Sequence, residues 1–226
     1  MITNYQIDKM KKIMKKIYVL SSVGVFLMGL AVIFAFKDEP SQVADKGYAI
    51  GDVVADFKLK STSGGVTSMA ENRSTKGYII VFTCNHCPFS KAYESRIMAL
   101  DRKYATQGYP VLAINPNDPA AYEEDTFENM QAVAKSKGYT FEYLQDETQN
   151  VARAFGAART PSAYVVKREG EKFIMQYIGV IDDNTQDANG VTKRYIEDAV
   201  NNLLAGRPVV VNMTKSVGCA IKWKGV

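Results

Sequence analysis

Thr83-Cys84-Asn85-His86-Cys87-Pro88 places two cysteines between the sequence pattern of a strand and that of a helix. Residues 78–82 precede it as an uninterrupted apolar run, which predicts a buried strand. After it, apolar residues recur every three or four positions, at Phe89, Tyr93, Ile97, Leu100 and Tyr104. This spacing predicts a helix. The two cysteines are therefore predicted to lie where a strand ends and a helix begins.

This position favours redox chemistry at Cys84 and Cys87. Unpaired N–H groups and the helix dipole stabilise an anion at a helix N-terminus, here a thiolate on Cys84. His86 is the only histidine of the chain and lies between the two cysteines. As an imidazolium it would favour the same thiolate, so we expect it to tune the thiol pKa. Two thiols at this spacing can also close into a small, reversible disulfide.

Two structural alternatives apply to the same cysteines. A structural zinc site needs four ligands, and only His86 and Cys219 remain as likely ligands besides the pair. A purely structural disulfide would close a very short loop, which removes little chain entropy from the unfolded state. The redox interpretation is therefore preferred, and we expect neither a bound metal nor a cofactor.

The composition fits one globular domain with an appendage. The chain has 226 residues, of which 46% are hydrophobic and 23% charged, and its formal net charge is +4. Residues 1–16 contain five lysines and one aspartate, so they account for this charge and the remaining chain is formally neutral. Net charge therefore gives no reason to expect nucleic-acid binding by the folded part.

Residues 17–36 are almost wholly apolar and long enough to cross a bilayer as a helix. The lysines precede this run, so the positive-inside rule places the N-terminus in the cytoplasm and the rest of the chain outside, on the periplasmic side. A cleaved signal peptide is the competing interpretation, but residues near the exit match a cleavage site poorly. We therefore predict a basic tail (1–16), a transmembrane anchor (17–36), a linker (37–47) and a folded domain (48–226).

Patterns along the folded part predict alternating strands and helices. Extended segments are expected at residues 53–59, 78–82, 109–114, 143–144, 163–166 and 173–178, the last two forming a hairpin. Helices are expected from the dithiol to about Gly108, from a capping box at Asp125 and Glu128 to Gly138, at 149–155, and at about 192–205. The first strand–helix–strand unit implies a parallel sheet.

This order of elements resembles the thioredoxin superfamily. Four strings are more specifically similar to the thioredoxin-like branch of the AhpC/TSA family, which also contains the peroxiredoxins. They are Asp56-Phe57-Lys58-Leu59, residues 82–88, Ile114-Asn115-Pro116-Asn117-Asp118 and Arg159-Thr160-Pro161. The resemblance covers residues 48–205 and implies an α/β fold, with a central mixed sheet flanked by helices.

The resemblance also implies roles for individual residues. Cys84 would be the exposed, attacking thiol, and Cys87 would resolve the mixed disulfide from a buried position. Thr160 and Pro161 would form a cis-proline loop that binds substrate, with the backbone of Thr160 paired to the substrate chain. An ordinary turn is the alternative for Pro161. Cys219 is either a third redox thiol that accepts the disulfide or a buried small apolar residue.

The sequence departs from true peroxiredoxins at their active-site motif. Their peroxidatic cysteine ends a P-x-x-x-T-x-x-C pattern and corresponds to Cys87. In this chain Cys84 occupies the threonine position of that pattern and Ile80 occupies the proline position.

The sequence therefore predicts a membrane-anchored thiol–disulfide oxidoreductase that acts on extracytoplasmic protein disulfides or dithiols, with an unidentified electron donor or acceptor. A thiol peroxidase is the alternative. A copper-binding assembly factor is a weaker one, because it needs a longer cysteine spacer and a distant histidine.

Overall fold

A computed structural model describes residues 47–225 of the chain. Within this range, no helix is long and apolar enough to span a membrane. The predicted basic tail, the transmembrane anchor and all but the last residue of the linker lie outside the described residues.

The described part alternates strands with helices. In chain order its elements are β1 (Val53–Val54), β2 (Lys58–Ser61), β3 (Val66–Ser68), β4 (Gly77–Phe82), α1 (Pro88–Tyr104), β5 (Val111–Asn115), α2 (Phe127–Lys137), β6 (Glu142–Gln145), α3 (Asn150–Phe155), β7 (Arg159–Thr160), β8 (Ser162–Glu169), β9 (Lys172–Gly179), α4 (Tyr195–Leu204) and β10 (Cys219–Ala220). Short 3-10 turns lie at Ala105–Gln107, Glu123–Asp125 and Ala188–Gly190.

Eight strands form one mixed sheet in the order β1-β9-β8-β4-β5-β6-β2-β3. The parallel pairing predicted for the first strand–helix–strand unit is confirmed, since β4 pairs in parallel with β5, and β5 pairs in parallel with β6. On its other side β4 pairs with β8, which forms the predicted hairpin with β9. All six residues of β4 are buried, as expected of a strand covered on both faces.

Each face of the sheet carries its own core. Ile79 and Val81 of β4 pack with α1 and α4 on one face, whereas Ile80 and Phe82 face the other cluster, which includes Phe155 of α3. Successive side chains of a strand point to opposite faces, so the uninterrupted apolar run of β4 serves both cores. This central strand therefore fixes the position of the loop that follows it, which carries Cys84.

The prediction of one strand over residues 53–59 is wrong, because these residues belong to two separate strands, β1 and β2. Val53 and Val54 pair with β9 at one edge of the sheet, whereas β2 pairs with β6 and β3 near the opposite edge. The chain between them crosses the sheet and cannot continue one strand.

The capping box predicted at Asp125 and Glu128 is also wrong. The N-cap of α2 is Thr126, whose side chain accepts a hydrogen bond from the N–H of Asn129 at 3.3 Å. Asp125 precedes the cap and is buried, and its carboxylate accepts hydrogen bonds from the cysteine loop instead. The C-terminal end of α2 agrees with the prediction, since Gly138 takes a left-handed conformation there.

The chain after α4 returns to the sheet and then to β7. Met213 forms a bridge with Ile178 of β9, and the N–H of Thr214 donates to the carbonyl of Ile178 at 2.9 Å. Farther on, β10 pairs with β7, and Ile221 is buried in the core beside α3. This path brings Cys219 to the end of the sheet where the two other cysteines lie.

Candidate active site

Cys84 and Cys87 lie in the loop between β4 and α1, as predicted, but the helix begins later than expected. Pro88 occupies the first turn of α1 and Cys87 is its N-cap residue. Cys87 is therefore nearer to the helix N-terminus than Cys84. The expectation that the helix end stabilises a thiolate on Cys84 is not met by this geometry.

Cys87 forms a disulfide with Cys219, and Cys84 is free. The two bonded cysteines are 132 positions apart in the sequence, and their Cα atoms are 6.2 Å apart. The structure thus shows a different pairing from the Cys84–Cys87 disulfide expected from the C-x-x-C spacing. The alternative interpretation of Cys219 as a free, buried cysteine is wrong, since it is bonded and partly exposed.

The Thr160–Pro161 peptide bond is cis, in agreement with what the resemblance implies. Thr160 is fully buried and contacts both neighbouring sulfurs. Its hydroxyl oxygen lies 3.2 Å from Cys84 Sγ, and its carbonyl oxygen lies 3.4 Å from Cys87 Sγ. The loop therefore brings the free thiol and the disulfide together around one residue.

The strand β10 pairs antiparallel with β7, so that Cys219 faces Thr160 and Ala220 faces Arg159. The approach is close at Gly218, where an added Cβ would lie 2.2 Å from the carbonyl oxygen of Thr160. Arg159 holds the same segment by donating a hydrogen bond from Nη1 to the carbonyl of Gly218 at 2.8 Å. The C-terminal segment thus covers the backbone edge that the resemblance assigns to substrate.

Cys84 is 4% exposed, which contradicts the expectation of an exposed attacking thiol. Burial raises the pKa of the Cys84 thiol above its ordinary value, and the negative charge of Asp125 raises it further. Hydrogen bonding with Thr160, Ser90 and the backbone of Cys87 lowers the pKa without reversing the shift. In this disulfide state, burial and the nearby carboxylate thus both disfavour a thiolate on Cys84.

His86 lies beside the cysteines, with its side chain 8% exposed and held by two neighbours. Its Nδ1 atom lies 2.5 Å from Oδ2 of Asp125, and its ring stacks on Tyr122 with centroids 3.8 Å apart. The imidazole is thus paired with the carboxylate that acts on the Cys84 pKa. The tuning role assigned to His86 stays a prediction.

Asp125 is the centre of a buried polar network. One oxygen accepts from the N–H of Asn85 at 2.7 Å and from the amide of Asn115 at 3.2 Å. The other accepts from the amide of Asn117 at 2.9 Å and contacts His86. Because a buried carboxylate needs such partners, this network fixes the shape of the cysteine loop.

Among the described residues, Cys84, His86 and Asp125 each bring one potential metal-ligand atom to within 4.8 Å of the others. The group fits a metal poorly. A structural zinc site uses four ligands, and both oxygens of Asp125 already have protein partners. Binding a metal here would break hydrogen bonds that hold the loop.

The site contains residues that the sequence did not indicate. Asp125 fits a helix-cap pattern that is one residue away from the true cap, Thr126. Asn117 lies in a loop, and the sequence gives it no role in the site. Gly218 precedes Cys219 without any local pattern. The Asn-Pro-Asn-Asp string at residues 115–118 was the one signal near this network, since its asparagines supply two of the contacts with Asp125.

Comparisons with known proteins agree with this architecture. The AhpC/TSA family model matches residues 50–177. A crystal structure of an uncharacterized conserved protein from Geobacillus kaustophilus is 39% identical, with a TM-score of 0.72, and covers 79% of this chain and 94% of that one. A hypothetical protein from Sinorhizobium meliloti is 36% identical, also with a TM-score of 0.72, over 80% of this chain and 97% of its own.

A more distant structure shares the fold. A putative thiol:disulfide interchange protein DsbE from Chlorobium tepidum is 17% identical, with a TM-score of 0.53, over 70% of this chain and 99% of its own. The comparison with curated proteins gave no match. The family match spans more than half of the chain and includes the cysteine loop and the cis-proline loop. The chain belongs to the AhpC/TSA family, in the redoxin branch of the thioredoxin superfamily.

Proposed function

We propose that the chain is a membrane-anchored thiol–disulfide oxidoreductase that exchanges disulfides with extracytoplasmic proteins through Cys84 and Cys87. The observation that carries this proposal is the disulfide between Cys87 and a cysteine of a strand paired with Thr160. Cys87 thus holds a disulfide with an extended segment at the cis-proline loop, while a free thiol lies beside it.

The arrangement supports exchange by successive attack. Thiol–disulfide exchange needs a thiolate, a disulfide sulfur within reach and a leaving thiolate. Thr160 contacts the sulfurs of both Cys84 and Cys87, so attacker and target share one site. Cys84 would form or break the bond to the partner, and Cys87 would resolve it. The hydrogen bonds from Thr160 and Ser90 would steady the Cys84 sulfur as charge develops on it.

The assignment to the membrane and to the extracytoplasmic side rests on sequence alone. It is supported by the apolar run at residues 17–36 and by the lysines that precede it. An extracytoplasmic location suits a chain with a disulfide, because such compartments are oxidising. The electron donor or acceptor is proposed to be another protein dithiol or disulfide.

Stopped-flow kinetics test this proposal with the full chain in mild detergent and its thiols reduced. We expect fast loss of free thiol with a disulfide-bonded peptide and slow loss with hydrogen peroxide. Substituting either active-site cysteine, Cys84→Ser or Cys87→Ser, is expected to abolish catalytic exchange. Exchange that is unaffected by both substitutions would contradict the proposal.

A thiol peroxidase is a second candidate, and the Cys87–Cys219 bond favours it. Cys87 occupies the position of the peroxidatic cysteine, and Cys219 would be its resolving partner. Against this, Cys84 and Ile80 replace the threonine and proline that shape a peroxide pocket. Saturable peroxide consumption that survives Cys84→Ser but not Cys87→Ser would establish the peroxidase.

A further inference from the structure

Residues 215–220, called the strap below, lie between two anchored points of the C-terminal segment. Before the strap, the Thr214 hydroxyl is 2.7 Å from that of Tyr177, and the Thr214 N–H donates to β9. After it, Ile221 is buried and its N–H donates to the carbonyl of Ala158 at 3.1 Å. The strap is therefore tied to the fold at both ends, and its middle can leave β7 without unfolding the domain.

The downstream anchor is reinforced by polar contacts. The N–H of Lys222 donates to the side chain of Asn117 at 2.9 Å, and the amide of Gln149 donates to the carbonyl of Lys222 at 2.7 Å. Trp223 packs on Arg153, with the guanidinium carbon 4.3 Å from the ring centre. These contacts lie outside the strap and do not involve β7.

The strap itself is held by groups at the active site. Its strand β10 pairs with β7, so that Cys219 lies opposite Thr160. Arg159 bonds the carbonyl of Gly218, and the side chain of Cys219 is bonded to Cys87. Antiparallel pairing with an exposed edge is a general mode of recognising extended peptides. The strap thus occupies the place of a substrate chain and presents a cysteine to Cys87.

Gly218 explains how closely the strap can approach. A Cβ at this position would lie 2.2 Å from the carbonyl oxygen of Thr160 and 3.0 Å from the nitrogen of Pro161. Both atoms belong to the backbone of a buried loop, which cannot shift as a flexible side chain would. The residue before the bonded cysteine must therefore be glycine for the pair to keep this register.

We propose, on the basis of the function proposed above, that the strap is a built-in substrate segment and that Cys219 exchanges with Cys84 on the sulfur of Cys87. Cys84 first loses its proton, and the resulting thiolate attacks Cys87 Sγ; the Cys84–Cys87 bond forms as the Cys87–Cys219 bond breaks. Cys219 leaves as a thiolate and takes up a proton equivalent to the one that Cys84 lost. The exchange involves no net oxidation or reduction, so no additional reactant is needed.

The exchange changes access to the site. With the Cys87–Cys219 bond intact, the strap covers the edge of Thr160 and Cys84 is buried. With the Cys84–Cys87 bond formed, the strap is free to leave β7 and exposes that edge. The partner that replaces it is an extended polypeptide with a glycine directly before its reactive cysteine, since it meets the same Thr160 carbonyl.

The test compares the two disulfide isomers in the full chain. Protein in mild detergent is equilibrated with a mixture of glutathione and glutathione disulfide, quenched in acid and mapped by mass spectrometry after proteolysis. We expect Gly218→Ala to lower the ratio of the Cys87–Cys219 to the Cys84–Cys87 disulfide by about tenfold, because the added methyl group overlaps the Thr160 carbonyl. Val217→Ala is the matched control, since Val217 is an exposed strap residue and is expected to leave the ratio unchanged.

Arg159→Ala gives a second measurement that does not depend on the folding of the glycine variant. Arg159 is exposed, and its loss removes one hydrogen bond to the strap. We expect the same isomer ratio to fall about fivefold. The urea midpoints of the reduced variants should equal that of the reduced wild-type chain, because the strap contributes little once its disulfide is open.

The outcomes separate this inference from the proposed function. If Gly218→Ala and Arg159→Ala both show the same ratio of the two disulfides as the wild-type chain, the strap is not held as a substrate segment and the inference is overturned. If the reduced wild-type chain forms no disulfide with or through glutathione disulfide, the proposed function fails as well. Exchange that remains fast, with isomer ratios that shift as expected, supports both.

Discussion

Removing the Cys87–Cys219 disulfide should cost the oxidised chain much of its stability. The bonded cysteines are 132 positions apart, so the bond restrains a long loop in the unfolded state. In the chain-entropy treatment, a loop of this length corresponds to about 5 kcal/mol of unfolding free energy at 25 °C. For a domain of this size, such a loss lowers the melting temperature by roughly 10–20 °C.

The alternative disulfide would contribute far less. Cys84 and Cys87 are three positions apart, and the same treatment gives about 1.6 kcal/mol for that loop. The Cys87–Cys219 isomer of the structure should therefore resist unfolding better than the Cys84–Cys87 isomer, by about 3 kcal/mol. In the folded chain the strap contacts set the ratio of the two isomers, and a partner that binds the edge of Thr160 would shift that ratio toward Cys84–Cys87.

Urea unfolding of the full chain in mild detergent measures this effect. Trp223 is the only tryptophan, and its ring packs on Arg153, so intrinsic fluorescence follows the C-terminal segment. We expect oxidised Cys219→Ser to unfold at a clearly lower urea concentration than the oxidised wild-type chain. Oxidised Cys84→Ser is the control, since it removes a thiol but keeps the long-range disulfide.

Reduction provides the second half of the comparison. With a dithiol reductant present, the wild-type chain and Cys219→Ser should unfold within about 0.5 kcal/mol of one another. Equal urea midpoints for oxidised wild-type chain and oxidised Cys219→Ser would contradict this prediction, because they would mean that the long loop is not closed by this bond.

Three further predictions follow from the described contacts. Asp182→Ala should lower the unfolding free energy by about 3–5 kcal/mol in urea titrations, because it leaves the largely buried Arg96 guanidinium without its carboxylate. As a control, Lys167→Ala breaks the exposed ion pair between Lys167 and Glu169 and should lower the unfolding free energy by under about 1 kcal/mol. Asp125→Asn should lower the pH midpoint for iodoacetamide alkylation of Cys84, because the Asp125 charge raises that pKa. Deleting residues 17–36 should move the chain from the membrane fraction to the soluble fraction on centrifugation.

Each of these has a result that would contradict it. Equal losses for Asp182→Ala and Lys167→Ala would show that burial does not strengthen the Arg96 pair. Asp183→Asn is the remote control for the alkylation experiment. If Asp125→Asn leaves the pH midpoint of Cys84 alkylation unchanged, the Asp125 carboxylate does not raise the pKa of Cys84. A full-length chain that is already soluble without detergent would rule out the predicted anchor.

Local patterns were sufficient for the central part of the fold. The apolar run at residues 78–82 predicted a buried strand, because a parallel strand covered on both faces needs apolar residues throughout. The C-x-x-C motif and the Thr160–Pro161 pair were identified from short strings, and the structure brings them together. The hairpin and the glycine helix ends followed from turn chemistry, which acts over a few residues.

The parts that failed depend on contacts far apart in the sequence. The Cys87–Cys219 bond joins residues that no local pattern relates, and β10 has two residues, too few for an alternation signal. Asp125 matched a cap pattern, yet its role comes from four partners, two in the cysteine loop and two at and just after the end of β5. The thiolate predicted on Cys84 assumed that the helix begins there, but Pro88 starts it later and burial dominates the pKa.

The proposed disulfide exchange through Cys87 is best tested by thiol titration of the full chain across a series of glutathione redox buffers. We expect two of the three thiols to be lost and regained reversibly, and every disulfide mapped along the series to include Cys87. Cys87→Ser should then abolish the reversible step. A chain whose thiols do not respond to the buffer, or a Cys87→Ser variant that still loses two thiols reversibly, would contradict the proposed exchange.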